Sequence, residues 1–357
     1  MKTYIKFLID IFIKSFFYVF LIIFSLVFLI NLLTEIEFFS DIDVDIFFPI
    51  QLSLLNSPSM LFEIFPFIFL ISTQLFFIKL FNNNEISVLK YSGLKNSKII
   101  LIISLTTFLL SVLIISVFYN TSSNLKNFYL ELKSDYTKDD KYLAVVNKNG
   151  LWIRDRIKNK ILIVNSSKIN ENFLLDNFIT EFDENYTVIR NIVSDKIDIR
   201  TNDWIILKPK ILNKNLSEEL DQIIITSNFN YKLINSLFSN LSSLSIFELL
   251  ELKKNYDLLN YSTVDINIQI QKIFSYPFYL ILMTLLSSII MLNSKKYKSN
   301  TFKISIGLFL CVIIYYFNNL FNVMAATEKI NHVISIWIPL LILTAIITIT
   351  SYKINEK

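Results

Sequence analysis

Few residues of this chain have the chemistry of a catalyst. His332 is the only histidine and Cys311 the only cysteine among 357 residues, so no multi-histidine metal site, histidine-based triad or intrachain disulfide can form. Only three glycines occur, at positions 93, 150 and 307, and their spacing excludes a G-x-x-x-x-G-K phosphate loop. We therefore expect no catalytic residue, metal or cofactor, and any energy-driven work must draw on another protein.

A short charged segment, residues 82–93, has the signals of a helix. It begins with three asparagines, residues 82–84, whose side chains often accept a hydrogen bond from the first turn of a helix. Glu85 would then lie at the positive end of the helix dipole, and Lys90 near the negative end. Gly93 falls just past the predicted C-terminus, where a positive φ is common.

The predicted helix over residues 85–92 has only two turns, and so short a helix is marginal in water on its own. It needs a surface to pack against, and three apolar residues could supply the contacts: Ile86, Val88 and Leu89. The segment is either a capped connector or an element that docks on a partner protein. Spacing alone does not choose between these alternatives.

The segment lies between two of six long apolar stretches, which must position it. The chain is 53% hydrophobic, more than soluble domains of this size usually reach, and this indicates a membrane protein. Each stretch is near the roughly 20 residues that a membrane-spanning helix needs. Because lipid offers no hydrogen-bond partner to a backbone N–H or C=O group, each stretch must be helical. Glu63 is just inside the second stretch, and the others carry no charge. The predicted spans are residues 15–34, 59–78, 99–124, 273–294, 304–327 and 333–352.

The distribution of lysine predicts the orientation of the spans. The N-terminus, the 82–98 gap, the 295–303 gap and the C-terminus carry most of the lysines outside the central block, whereas residues 35–58 are acidic. Because cytoplasmic loops are enriched in Lys and Arg, we expect both termini inside and residues of about 120–270 outside. The acidic loop over residues 35–58 either contacts a cation or headgroup, or merely reflects the exclusion of lysine from outer loops.

The polar block between spans 3 and 4 has the pattern of a β domain. From Tyr142 to about Lys208, apolar and β-branched residues alternate or form short runs. Asn149-Gly150 is a strong hairpin signal. Many short strands predict a sandwich, jelly roll or barrel. Ser245 and Glu248 then have the spacing of a capping box at the start of a helix of two to three turns.

These observations predict a membrane α-helical protein of six spans, arranged three plus three, with an inserted periplasmic all-β, jellyroll-like domain. The predicted boundaries are residues 1–119 for spans 1–3, with the short inner helix at 84–93, residues 120–263 for the β domain and its helical connector, and residues 264–357 for spans 4–6.

Several motifs in this order resemble the LptF/LptG family of lipopolysaccharide-export permeases. Residues 84–94, NEISVLKYSGL, are similar to the family's E-x-x-x-L-(R/K)-x-x-G segment, and residues 150–155, GLWIRD, resemble an early strand pair of the LptG outer domain. Proline-bearing motifs of spans 2, 4 and 6 fit the family pattern too: Phe65-Pro66-Phe67, Tyr276-Pro277-Phe278 and Trp337-Ile338-Pro339. The resemblance covers essentially the whole chain and is closest to LptG, with LptF as the alternative.

The resemblance implies a set of partners. Members of the family pair as LptF and LptG on an LptB-type ATPase dimer, which grips the short helix and supplies the energy. Lipopolysaccharide enters a cavity lined by spans 1 and 5 and passes through the β domain to LptC or LptA. No nucleic-acid partner is expected. By this match four residues form the coupling segment: Glu85, Leu89, Lys90 and Gly93.

Two further groups of residues follow from the resemblance. Candidate cavity residues are the phenylalanines of spans 1 and 5, although lipid-facing or core packing also explains such residues: Phe20, Phe24, Phe28, Phe309, Phe317 and Phe321. Candidate hinges are Pro66, Pro277 and Pro339, because proline interrupts helical hydrogen bonding, although a proline kink can equally be a static packing device.

One departure from the family concerns the lipid's phosphates. Several members carry Lys or Arg near the outer end of span 1, whereas residues 31–37 of this chain are NLLTEIE. Span 5 also has no basic residue from Ile304 to Thr327. Phosphate contacts must then come from the partner permease or from Lys329, or the substrate differs. Two rival functions are a membrane sensor or scaffold with a ligand-binding β domain, and a permease of another ABC-type machine.

Overall fold

The computed structural model of the chain describes residues 3–134, 136, 151–157, 160–170, 172–213, 216–231, 234, 240–258, 262–293 and 299–355. They belong to two compact units. One comprises Met1–Tyr129, Ser242–Leu249 and Thr263–Lys357, and the other comprises Leu130–Leu241 and Leu250–Ser262. The first unit is helical, and the second contains the strands. The predicted Asn149-Gly150 hairpin lies outside the described residues.

Within the described residues, six helices are long and apolar enough to cross a membrane, as the sequence predicts. The third is built from two α-helices joined by a π-helical segment, Ile114–Tyr119. Among the described residues, two shorter α-helices accompany the six. The helices are α1 (Thr3–Phe38), α2 (Phe47–Asn82), α3 (Glu85–Tyr91), α4 (Asn96–Leu113), α5 (Asn120–Ser134), α6 (Ile246–Leu258), α7 (Val264–Leu292), α8 (Asn300–Ala326) and α9 (His332–Asn355).

The predicted loop over residues 35–58 is wrong, because most of it is helical. α1 continues to Phe38 and α2 begins at Phe47. Glu35, expected in the loop, is buried in α1 and accepts a hydrogen bond of 2.8 Å from the Tyr129 hydroxyl. The prediction ended the helices where the apolar run ends, but helical hydrogen bonding needs no apolar environment to continue. Among the described residues, no acidic, histidine or cysteine cluster could hold a metal ion.

The core of the helical unit runs along α2, which contacts α1, α3, α7 and α8. Its largest buried side chains are aromatic and include Phe12, Phe65, Phe69, Phe76 and Phe77. Small hydroxyl residues let other helices approach closely. The hydroxyls of Thr107 in α4 and Thr284 in α7 are 3.1 Å apart, and the Ser287 hydroxyl donates to the Leu70 carbonyl at 2.9 Å.

The second unit contains an antiparallel sheet of eight described strands. Neighbouring strands follow the order β1-β2-β3-β4-β5-β8, and β6 pairs with both β4 and β7. The strands are β1 (Leu151–Ile157), β2 (Lys160–Asn170), β3 (Phe173–Phe182), β4 (Val188–Asp198), β5 (Asp203–Leu207), β6 (Lys210–Asn213), β7 (Leu216–Glu219) and β8 (Gln222–Thr226). The inserted β region is confirmed, but it extends past the predicted limit near Lys208 to Thr226, through three strands of only four or five residues each, β6 to β8.

The capping box before α6 is confirmed. The Ser245 backbone N–H donates to a Glu248 carboxylate oxygen at 2.8 Å, and the Glu248 N–H donates to the Ser245 hydroxyl at 3.4 Å. The helix has 13 residues, longer than predicted. Leu249 and Leu252 are buried, whereas Leu250 is exposed.

A buried carboxylate in the sheet predicts how stability depends on pH. The Glu181 side chain is only 3% exposed and lies 2.5 Å from both the Lys160 ammonium and the Arg190 guanidinium. Burial alone would raise the pKa of Glu181, but the hydrogen bonds from Lys160 and Arg190 outweigh it, so the pKa is lowered. The unfolded chain then takes up a proton first as the pH falls.

Stability from Glu181 should therefore be complete above the unfolded pKa of about 4.3 and be lost as the pH falls through the lower folded value. We expect Glu181→Gln to destabilise the sheet by about 1–3 kcal/mol at neutral pH and to flatten the acid side of the stability profile. In a background in which Trp152 and Trp337 are replaced by Phe, the fluorescence of buried Trp204 during thermal unfolding of the full chain measures both effects. If the stability of Glu181→Gln fell as steeply with decreasing pH as that of the unaltered chain, this role of Glu181 would be contradicted.

Candidate functional site

The short helix α3 ends as predicted but does not begin as predicted. Gly93 has φ +80°. Its N–H donates to the Lys90 carbonyl at 2.9 Å, and the Leu94 N–H donates to the Leu89 carbonyl at 3.0 Å, which is the Schellman pair of bonds that closes a helix. Asn84, at the other end, makes no side-chain capping bond.

The capping prediction for residues 82–84 is wrong for a geometric reason. Asn82 is the last residue of α2, and only one turn separates it from α3. Asn84 adopts a left-handed conformation with φ 55°, which asparagine tolerates better than most residues. This conformation reverses the chain direction, and the capping bond requires an extended one. The Asn83 amide instead donates to Glu85 Oε1 at 3.2 Å.

α3 has one buried face and one exposed face. Ile86 is buried in the core of the helical unit, with Leu89 half-buried against it and Leu94 buried just past the helix. Of the three residues predicted to make packing contacts, Val88 does not contact the bundle closely and is 62% exposed. Tyr91 is 93% exposed. The helix therefore rests on its own bundle through one side and presents an aromatic and a branched aliphatic side chain on the other. Lys90 and Gly93 are exposed too.

Glu85 is half-buried at the start of α3, and its two carboxylate oxygens differ. Oε1 accepts the bond from Asn83, whereas Oε2 is buried and has no hydrogen-bond partner among the residues that the structure describes. A desolvated carboxylate oxygen without a donor is costly. A cationic or N–H donor from outside the described chain would relieve that cost once the side chain rotates.

The aromatic residues of α1 and α8 fall into two environments. Phe20 and Phe24 are half-buried and stack with centroids 6.3 Å apart, and Phe20 also stacks on Phe65 at 6.0 Å. Phe28 is half-buried, while Phe309 is 67% exposed and Phe317 39% exposed.

Both helices show broad apolar faces. In the most apolar window of α8 only 11% of residues are buried inside the structure, and in that of α1 only 22%. Phe321 is half-buried and lies 5.0 Å from the Phe317 ring. α1 packs mainly on α2 and α4, whereas α8 packs on α2, α7 and α9. Each helix therefore presents apolar side chains outward, to lipid or to another subunit.

Comparison with protein families assigns the whole chain. The sequence model described as "Lipopolysaccharide export system permease LptF/LptG" matches residues 6–353. This chain belongs to the LptF/LptG family. A comparison with curated proteins finds no match. The LptF/LptG protein is thus a multi-pass inner-membrane protein and a permease subunit of lipopolysaccharide export.

The three prolines predicted as hinges in the LptF/LptG chain are all buried: Pro66 in α2, Pro277 in α7 and Pro339 in α9. Pro66 cannot donate to the Phe62 carbonyl, and the Tyr276 hydroxyl donates to that oxygen instead. The Phe62 and Tyr276 rings also stack, with centroids 4.6 Å apart. The interrupted turn of α2 is therefore bonded to α7 in this conformation.

Sequence reasoning missed two features of this LptF/LptG permease. Tyr91, the most exposed large side chain of α3, lies inside the motif but was not singled out, although an aromatic residue two positions before the closing glycine is a visible signal. The polar cavity among α2, α7, α8 and α9 was also missed, because its residues come from separate helices and only tertiary packing brings them together.

Proposed function

We propose that this chain is the LptG-type subunit of an ATP-driven transporter that extracts lipopolysaccharide from the outer leaflet of the inner membrane. The second candidate is the LptF-type subunit of the same complex. Trp152 in the first described strand favours the LptG type, because it stands in the GLWIRD motif that resembles LptG. The distribution of lysines supports an orientation with both termini in the cytoplasm and the β region in the periplasm.

The observation that carries the proposal is the two-faced helix α3. Ile86 and Leu94 anchor it to the bundle, while Val88 and Tyr91 project from the opposite side. Such a helix can transmit force, because a partner that moves the exposed side also moves the bundle beneath it. We propose that an LptB-type ATPase dimer grips this side and that Glu85, Leu89, Lys90 and Gly93 give the helix its position and shape. Glu85 Oε2 would receive a donor from the ATPase.

The energy requirement supports an external motor. Burying one CH₂ is worth about 0.8 kcal/mol, and lipid A carries several acyl chains, so pulling it from a bilayer needs nucleotide energy. An apolar path lowers the cost by keeping the chains from water. We propose that Phe20, Phe24 and Phe28 of α1 and Phe309, Phe317 and Phe321 of α8 line that path with the partner permease.

The remaining parts have proposed roles in the same cycle. Pro66, Pro277 and Pro339 are the candidate hinges, and movement there would require the bond between Tyr276 and the Phe62 carbonyl to break. The β region would receive the lipid and pass it to an LptC- or LptA-type bridge. Its antiparallel strands offer edges and an apolar interior suited to acyl chains.

Reconstitution tests the proposed function. The chain should co-purify with an LptB-type ATPase and an LptF-type permease encoded by the same cell. In proteoliposomes that contain lipopolysaccharide, the complex should release the lipid to an LptC- or LptA-type acceptor only when ATP is hydrolysed. Release without ATP, or an ATPase that does not associate with the chain, would contradict the proposal.

Photo-crosslinking tests the proposed lipid path. A photoreactive residue at Phe309 or Phe317 should capture lipopolysaccharide in the assembled complex, because both side chains are exposed on α8. Matched positions on other spans, Leu105 in α4 and Ile346 in α9, are 58% and 52% exposed and should capture only bulk phospholipid. Capture of lipopolysaccharide only at Leu105 and Ile346 would contradict a path along α1 and α8.

A further inference from the structure

A polar cavity of about 330 Å³ lies among the membrane-spanning helices of the first unit. Its walls come mainly from α2, α7, α8 and α9, with Tyr119 and Ser122 of the third span and Ser242 also lining it. It lies near the end of the bundle at which α8 leads into α9, since Asn322 is about one turn before the end of α8 and Ser335 about one turn after the start of α9. A site at this depth is where lipid headgroups meet acyl chains.

The lining of the cavity is unusually polar for a membrane bundle. Four amide side chains border it, together with hydroxyls from serine and tyrosine, and the amides are Gln269, Asn318, Asn319 and Asn322. Polar residues between spanning helices are costly unless they bind one another or a ligand, and they often mark functional sites. The same cavity has an apolar side formed by Phe67, Ile273 and Leu340.

Two of the described residues that line the cavity are charged, one of each sign: Lys272 from α7 and Glu63 from α2. They are close enough for electrostatic attraction. Two further charges lie near them outside the lining, Lys126 of α5 near Glu63 and Asp265 of α7 near Lys272, so the surroundings carry both signs in equal number. Among the described residues, neither forms a salt bridge with the other or with any third group. A cation and a carboxylate held apart across a cavity are complementary to a ligand that carries both charges.

We propose that this cavity binds the headgroup of a zwitterionic phospholipid with a primary ammonium, of the phosphoethanolamine class. Lys272 and the neighbouring amides would hold the phosphate, and Glu63 would accept the ammonium. The volume is many times the roughly 10–15 Å³ of cavity that one water molecule needs, so there is room for such a group. The apolar side would hold the glycerol and the first methylenes.

The charge pattern distinguishes this ligand from others. A purely anionic headgroup would approach Lys272 but be repelled by Glu63, so polyanionic lipopolysaccharide and phosphatidylglycerol should bind weakly here. A quaternary ammonium has no N–H to donate to a carboxylate. The inference does not depend on the proposed transport function, because a lipid could occupy this intrasubunit site whether or not the chain moves lipopolysaccharide.

Native mass spectrometry of the full chain in detergent tests the ligand. We expect phosphatidylethanolamine to bind about tenfold more tightly than phosphatidylglycerol with the same acyl chains. Soluble glycerophosphoethanolamine, which has the headgroup without the chains, should compete poorly. Equal binding of the two lipids would overturn a site for a zwitterionic headgroup. If glycerophosphoethanolamine competed as well as phosphatidylethanolamine binds, the ligand would not need to be a lipid and that part of the proposal would be overturned.

Substitutions of Lys272 and Glu63 test which part of the headgroup each residue binds. Lys272→Gln should weaken phosphatidylethanolamine binding about tenfold, and Lys272→Arg should restore most of it. Glu63→Gln should weaken phosphatidylethanolamine but not phosphatidylglycerol, so that the preference between the lipids disappears. The exposed pair Lys14 and Asp10, which is 2.7 Å apart on α1, offers matched controls as Lys14→Gln and Asp10→Asn, which should leave binding unchanged.

A preference for phosphatidylethanolamine that survives both Lys272→Gln and Glu63→Gln would place the lipid elsewhere and overturn the assignment. Size-exclusion profiles of each variant identify loss of fold. If a variant does not fold, the comparison of the two lipids on the unaltered chain still decides the proposal.

Discussion

Tyr91→Ala is expected to weaken binding of the proposed LptF–LptG-type pair to the proposed LptB-type ATPase by about thirtyfold. The Tyr91 ring is 93% exposed on a helix whose other side is fixed to the bundle through Ile86. A tyrosine buried in a partner's groove is a common binding hot spot, worth about 2 kcal/mol or more, and 2 kcal/mol corresponds to about thirtyfold in affinity. Titration of the ATPase against the permease pair in nanodiscs measures the change.

Tyr91→Phe is the matched control, because it keeps the ring and loses only the hydroxyl, and it should bind within about threefold of the unaltered pair. Glu85→Ala should separate binding from coupling. We expect it to lower ATP-driven lipid release per ATP hydrolysed, since Glu85 begins the helix and its Oε2 has no donor among the described residues. Unchanged affinity for Tyr91→Ala together with unchanged coupling for Glu85→Ala would reject α3 as the docking element.

The existence of α3 could be predicted because its signals are local. Lys90 and Gly93 lie within one turn of each other, and the bonds that close the helix need only the backbone nearby. The start of the helix could not be predicted, because the left-handed conformation of Asn84 depends on the direction in which the chain leaves α2. Which side chains face outward also depends on α2, so the sequence alone does not show that Ile86 faces the bundle while Val88 faces away from it.

The same difference between local and long-range signals applies to the membrane-spanning helices and to the cavity between them. A run of apolar residues is sufficient to predict a spanning helix, and the six runs of this chain do so. The polar cavity requires Glu63 and Lys272 to line the same space, although they lie about 200 residues apart in the sequence. The periodicity of the apolar residues does not indicate such a long-range arrangement. The burial of Glu35 beside Tyr129 is a comparable long-range contact that the sequence does not reveal.

Gly307→Val is expected to cause the largest loss of stability in the helical unit. A Cβ atom at Gly307 would lie 2.0 Å from Gln74 Nε2 and 3.3 Å from Leu70 Cδ2. The Gln74 amide has no easy way to move, because it is buried and donates to the Lys303 carbonyl at 3.1 Å. Lys303 in turn donates to the Met291 carbonyl near the end of α7 at 2.9 Å. The glycine therefore allows three helices to share one hydrogen-bonded contact.

Two costs add in this variant. Overpacking a tight core costs about 1–3 kcal/mol, and displacing the Gln74 amide from its acceptor costs about another 1–3 kcal/mol. The temperature at which half of the full chain remains monodisperse in detergent should fall by several degrees. Ser305→Val is the control, since Ser305 lies on the exposed side of the same helix and the added bulk would face lipid.

A double substitution identifies the cause. Gly307→Ala should be destabilising by itself, and Gln74→Ala should be destabilising through loss of its bond. Gln74→Ala also removes the atoms that a Cβ at position 307 would meet, so the two changes together should cost less than the sum of the separate changes, by about 1–2 kcal/mol. Strict additivity would show that the glycine is needed for a reason other than the close approach of Gln74, because independent sites more than about 7 Å apart behave in that way.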